Sequence, residues 1–141
     1  MSRRGAAEAL AAVITLAPGF TADSTGAVAI GDHRVLNTGV DRAAVIGNDN
    51  YRSAPDEFGN EWGMVWNFAV EVYIRHNNDV VQAREDSDIY IQSILDTLKN
   101  HRNLDGAVWD CTFIEGRLED EAIKVGRTPF LLEVLTIAAK E

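Results

Sequence analysis

A chain of 141 residues with 46% apolar side chains has the length and content for one self-supporting core. Its net charge of −9 is concentrated in residues 61–141, which carry −7 against −2 in residues 1–60, and this argues against general binding to nucleic-acid phosphates. The single cysteine, Cys111, rules out an internal disulfide and any CxxC metal or redox motif.

Residues 3–17 read as a helix, with Ser2 as its N-cap and Ala6, Leu10, Val13, Ile14 and Ala17 at helical spacing. Pro18-Gly19 stops it. Arg3 and Arg4 precede the apolar Ala9–Ala17 stretch, but Glu8 breaks the pattern and no small-x-small cleavage site follows, so it is not read as a signal peptide. No run approaches the roughly 18–20 apolar residues of a membrane span.

Ala27–Ile30 and Arg34–Leu36 are expected as short strands around Gly31-Asp32, and Ala43–Ile46 as a better one. The Gly47-Asn48-Asp49-Asn50 cluster reads as a turn. It opens a long polar connection over residues 47–61. A loop of that length in a small domain is commonly functional, and Tyr51 and Phe58 within it either anchor a partner or fold back onto the domain.

Trp62–His76, WGMVWNFAVEVYIRH, is the dominant strand. Trp66, Phe68, Val70, Val72 and Ile74 fall on one parity and mark a face that must be buried. Asn77-Asn78-Asp79 turns the chain, and Val80–Ala83 is expected to cover an edge. A second helix follows over Glu85–Arg102, with Ile91, Ile94, Leu95 and Leu98 as its stripe. Glu85, Asp86 and Asp88 are placed in its first turn and Lys99, His101 and Arg102 in its last, complementing the helix dipole. This helix is expected to cover the Trp66–Ile74 face. Asn103–Gly106 end it.

Val108–Leu118 reads as a strand with a bend at Gly116, Glu119–Glu121 as an acidic turn, and Ala122–Val125 as a short strand. Phe130–Lys140 is apolar on both parities, as in a central strand covered on both faces. The expectation is a single α+β domain with a flexible N-terminal arm. Two main helices pack on a mixed or antiparallel sheet of about four to five strands.

No catalytic signature is present: GxSxG, HExxH and GxxxxGK[ST] are all missing. His33, His76 and His101 lack metal-ligand spacing, and nothing pairs Cys111 with a histidine base. Asp56 and Glu71 are the carboxylates a metal-dependent nuclease would draw on, with Asp86 and Asp88 better explained by the helix N-terminus, but the lysine expected beside such a strand carboxylate is missing. Trp66 and Trp109 are assigned to the core, and Trp62 to an interface. No cofactor or metal is called for.

The order of elements resembles the tail terminator (tail-completion) proteins of long-tailed phages, over roughly residues 5–141. The resemblance rests on the Ala-rich first helix, the polar loop, the strand ending VEVYIRH, the helix DSDIYIQSILDTLKNH and the closing FLLEVLTIAAKE. It implies a non-enzymatic virion protein at the neck, assembled in the host cytoplasm. Such a protein forms a hexameric ring that caps the tail tube, ends its polymerisation and presents a surface for head–tail joining. The implied partners are further copies of the chain, the tail tube protein and a head–tail connector, with DNA passing through without sequence-specific binding and no membrane involved. A closing ring needs two different patches on each subunit. Arg3 and Arg4 of the arm, Tyr51, Arg52, Phe58 and Trp62 around the loop, and Glu119, Asp120 and Glu121 are the candidates. Alternatives are another neck protein (a head-completion, stopper or connector protein), a phage-type nuclease, and an unrelated acidic binding domain.

Overall fold

The computed structural model describes residues 2–21, 24–55 and 62–140, with the backbone alone at 48–55 and 62–63. The first helix, α1, runs Arg3–Ile14. The Ser2 hydroxyl accepts the Gly5 N–H at 3.0 Å and satisfies one of the first-turn donors. Ala6, Ala7, Leu10, Val13 and Ile14 form its buried stripe. The residues expected as a flexible arm are therefore helix from Arg3 onward. Beyond the helix, the Ser93 hydroxyl donates to the Pro18 carbonyl at 2.8 Å. Gly19 follows with φ +96°, where an added Cβ would stand 2.5 Å from the Tyr90 ring. Glycine is required there by both backbone conformation and space.

Among the described residues five strands form one mixed sheet: β1 Gly26–Ile30, β2 Arg42–Pro55, β3 Trp62–Arg75, β4 Asp110–Val125 and β5 Thr128–Lys140. Their spatial order is β1-β2-β3-β5-β4. β1 pairs with β2 in parallel, and every other pair is antiparallel. The second helix, α2, spans Val80–Asn100. The fold is a single α+β domain, as the sequence predicts.

The β3 row from Trp66 to Ile74 is buried, in the orientation its period of two requires. It lies in one cluster with Ala6, Leu10 and Ile14 of α1 and Ile94 and Leu98 of α2, so both helices cover it, not α2 alone. Glu133 interrupts the helix-facing row of β5, and the buried Ser87 of α2 donates to it at 3.1 Å. The opposite face of the sheet has a smaller core of Tyr73, Ala43, Val45, Phe130, Leu132 and Val134, with Leu36 above them. β5 is thus covered on both faces, as its apolar run predicts.

Several boundaries differ from the sequence reading. Arg34–Leu36 lies in a short 3-10 helix, His33–Asn37, because the Asp32 carboxylate accepts the Arg34 N–H at 3.0 Å and caps it. Gly47–Asn50 does not turn the chain. β2 continues to Pro55, and its pairing with β3 slips between Asn48 and Asn50, leaving Asp49 as the extra residue of a bulge. The long loop expected at 47–61 therefore contracts, since 47–55 is strand and Trp62 already begins β3. α2 starts at Val80, not Glu85, because Asp79 caps it by accepting the Gln82 N–H at 3.1 Å. Glu85, Asp86 and Asp88 thus lie beyond the first turn, and the dipole argument for them does not hold. Glu119–Glu121 is not a turn either. β4 is one strand from Asp110 to Val125, with irregular register between Phe113 and Glu115, Leu118 and Asp120, and Asp120 and Ile123. Gly116 pairs regularly opposite Leu135, so the bends lie on either side of it.

Candidate assembly surface

β4 is an edge strand of the sheet. Its side chains show why it stays at the edge. Charges occupy both parities (Asp110, Glu115, Arg117, Glu119, Asp120), so neither face can be buried throughout. It nonetheless carries a run of exposed apolar side chains: Phe113, Ile114 and Leu118, with Trp109 at its start 80% exposed. Trp109 is therefore not a core residue. Its N–H donates to the Lys140 carbonyl at 2.7 Å, which continues the β4–β5 ladder while the indole projects into solvent. Exposed apolar surface, where it is contiguous, marks interaction sites.

Between α2 and the start of β4 lies a groove of about 320 Å³. Leu95, Leu98, Cys111 and Phe113 give it apolar walls, and Lys99 and Arg102 add positive charge. Arg102 holds Asp110 through two hydrogen bonds of 3.0 and 3.1 Å. Burial pushes the Cys111 thiol up to about 12, with the Asp110 carboxylate adding to the effect and Arg102 opposing it. The thiol is a small buried group of the core.

The acidic segment predicted as a site is mostly paired within the chain. Glu119 accepts from Arg117 at 2.8 Å, and Asp120 accepts the Ala122 N–H at 2.9 Å. Glu121 forms an ion pair with Arg84 of α2, and its carbonyl accepts from His76 Nε2 at 2.9 Å. Arg3 and Arg4 lie on α1, where Arg4 pairs with Glu8, and α1 packs near β1 at the far end of the sheet from β4. The structure does not bring these arginines to the acidic segment. Tyr51 and Arg52 lie in β2, opposite Trp66 and Val65, and Trp62 lies opposite Pro55. Phe58 lies outside the described residues.

Among the described residues, His33, Glu71 and Tyr73 form an enzyme-like constellation. The Tyr73 hydroxyl donates to Glu71 Oε1 at 2.6 Å, and His33 Nε2 lies 3.0 Å from the same oxygen. Burial raises the Tyr73 hydroxyl far above the usual tyrosine range, reinforced by the Glu71 carboxylate, so it stays protonated. Glu71 thus ties β3 to the 3-10 helix, and Asp56 lies outside the described residues. Among the described residues no group of three or more His, Cys, Asp and Glu side chains is placed to hold a metal ion.

No protein-family model matches the chain, and no similar sequence is found among curated proteins. Among the described residues no helix is long and apolar enough to cross a membrane.

The residues missed by sequence reasoning are Trp109, Phe113, Ile114 and Leu118. The signal for them is the charge on both parities of β4, which places that strand at an edge and leaves its large apolar side chains without a second layer.

Proposed function

We propose that the chain is a structural subunit that assembles into a ring, of the tail-terminator kind, and caps a phage tail tube in the virion neck. The observation that supports this reading is the first half of the β4 edge, Asp110–Phe113, whose outer side pairs with no strand among the described residues and which lies between exposed Trp109 and Phe113. Such an edge is a template for joining another chain. The acidic balance of −9 fits a body that DNA passes without adhering, because like charge opposes phosphate contact. The paired state of Glu71 and the buried thiol of Cys111 give no support to nuclease or thiol chemistry.

Negative-stain imaging and native mass spectrometry of the purified protein, alone and with tail tubes, test the proposal. Rings of uniform size that sit on tube ends and stop tube growth are expected. Rings that bind only the portal or its adaptor would move the assignment to a connector. A monodisperse monomer that leaves tubes unchanged would overturn it.

A further inference from the structure

The sheet has a second open edge besides β4. β1 covers β2 only at Arg42–Ile46, and the Gly31 N–H to Ile46 carbonyl bond of 2.9 Å closes that pairing. Among the described residues no strand pairs with the outer side of 47–55. These two edges lie at one level across the sheet. Asn50 is opposite Asn67, Asn67 opposite Ala138, and Ala138 opposite Thr112. The same steps carry Tyr51 through Trp66 and Ala139 to Cys111, and Arg52 through Val65 and Lys140 to Asp110. Chain direction also matches. β2 and β5 run one way and β3 and β4 the other, so β4 of one copy laid beside β2 of the next forms an antiparallel pair.

We infer that copies of this chain join by strand addition, with the outer edge of 47–55 in one copy pairing with the Asp110–Ile114 edge of the next. The inference rests on the ring reading above and names its contact. The joint is head-to-tail, since two different edges meet, and a head-to-tail joint closes into a ring or runs on as a filament. Its register is level or displaced by an even number of residues, because an odd shift would interchange the two faces of the continued sheet. At the level register position 52, an arginine, stands opposite position 110, an aspartate whose carboxylate Arg102 already holds. A two-fold β4–β4 joint would instead set two strands together that each carry five acidic against two basic side chains over residues 110–125. The other half of the β4 edge, which is level with β1, is interrupted by bulges and is a poor template.

Disulfide trapping tests the contact. In a Cys111→Ser background, Arg52→Cys is combined with Asp110→Cys or with Thr112→Cys, the next position on the same face. Oxidation of one of these pairs is expected to give a covalent ladder that ends at the ring's subunit number, while each single variant stops at dimer. Hydrogen exchange of the unmodified protein, assembled against dilute, gives a second measurement. At least tenfold slower exchange is expected at amides in both 48–54 and 110–114. Rings that form with neither a ladder nor slower exchange would overturn this contact and leave the ring reading intact. Absence of any oligomer in the images would overturn both.

Discussion

Two tryptophans separate the scaffold from the surface. Trp66 is 8% exposed and sits in the β3 row beneath the helices, whereas Trp109 is 80% exposed at the edge. Tryptophan buries on the order of 150–250 Å², worth roughly 4–6 kcal/mol at about 25 cal/mol/Å². Compaction of the unfolded chain lowers that figure, and Trp66→Ala is expected to cost about 3–5 kcal/mol. The unfolding entropy near the midpoint is ~2.1 cal/mol/K per residue, or about 0.3 kcal/mol/K for 141 residues. Trp66→Ala should therefore lower Tm by roughly 10–17 °C. Trp109→Ala should stay within about 0.5 kcal/mol, a shift under ~2 °C. Circular-dichroism melts at dilution, where assembly does not add to stability, read both values. If the two variants lose stability equally, or Trp66→Ala melts with the wild type, the assignment of the helix-covered face is wrong.

Removing the Glu71 carboxylate leaves the part-buried Tyr73 hydroxyl without its acceptor, so Glu71→Ala should cost about 1–2 kcal/mol in urea unfolding. The proton retained on folded Tyr73 gives stability that is fully present below about pH 10, the ordinary tyrosine value, and is lost as pH rises above it. Tyr73→Phe, which removes the titrating group, should flatten that alkaline loss, and urea midpoints between pH 9 and 11 would register it. Hydrogen bonds from Arg34 hold Asp32 down to about 2. Its contribution is therefore complete above roughly pH 3.9, the ordinary aspartate value, and is lost as pH falls through about 2. Asp32→Asn should narrow the difference in urea midpoint between pH 5 and pH 2.5, and an unchanged difference would count against the cap. Cys111 should resist iodoacetamide at pH 8 in the folded protein and react fully in urea. Rapid native labelling would refute its burial.

Which features were legible in the sequence depends on what the chain must bury locally. The alternation from Trp66 to Ile74 was legible because one face of that strand is buried along its whole length. The double-sided run of β5 was legible for the corresponding reason. The segments misread are those where one residue chemistry serves two backbone geometries. Asn48-Asp49-Asn50 and Glu119-Asp120-Glu121 have the composition of turns, yet both form bulges, which also admit polar residues with unusual backbone angles. A bulge lets the strand continue, and only the partner strand shows that it does. Trp109 was misassigned for another reason. Among the described residues no further strand lies outside β4 and α2 ends at Asn100, so its exposure is set by tertiary arrangement. At the candidate surface, Tyr51, Arg52 and Glu119–Glu121 were picked from composition, but only the sheet register shows that Arg52 and Asp110 share a level on opposite edges.

The two halves of β4 are treated differently, and the difference bears on specificity. From Leu118 to Ile123 the register slips twice. There Arg84 pairs with Glu121, and buried His76 donates through Nε2 to the Glu121 carbonyl, its Nδ1 having no hydrogen-bond partner among the described residues. That segment is tied back to the domain, with the Glu121 carbonyl and the Ala122 N–H held by internal partners. Bulges and edge charges are also the devices by which sheets avoid indiscriminate pairing. Asp110–Phe113 has neither a bulge nor an unpaired charge, since Arg102 holds Asp110. A regular stretch of four paired residues is shorter than the roughly six or seven that support self-stacking fibrils. Backbone pairing over that length is weak, so a stable joint depends on the apolar side chains beside it. Trp109 and Phe113 stand at the two ends of this stretch. A guarded half and a short open half flanked by aromatics favour one defined partner strand over open-ended association.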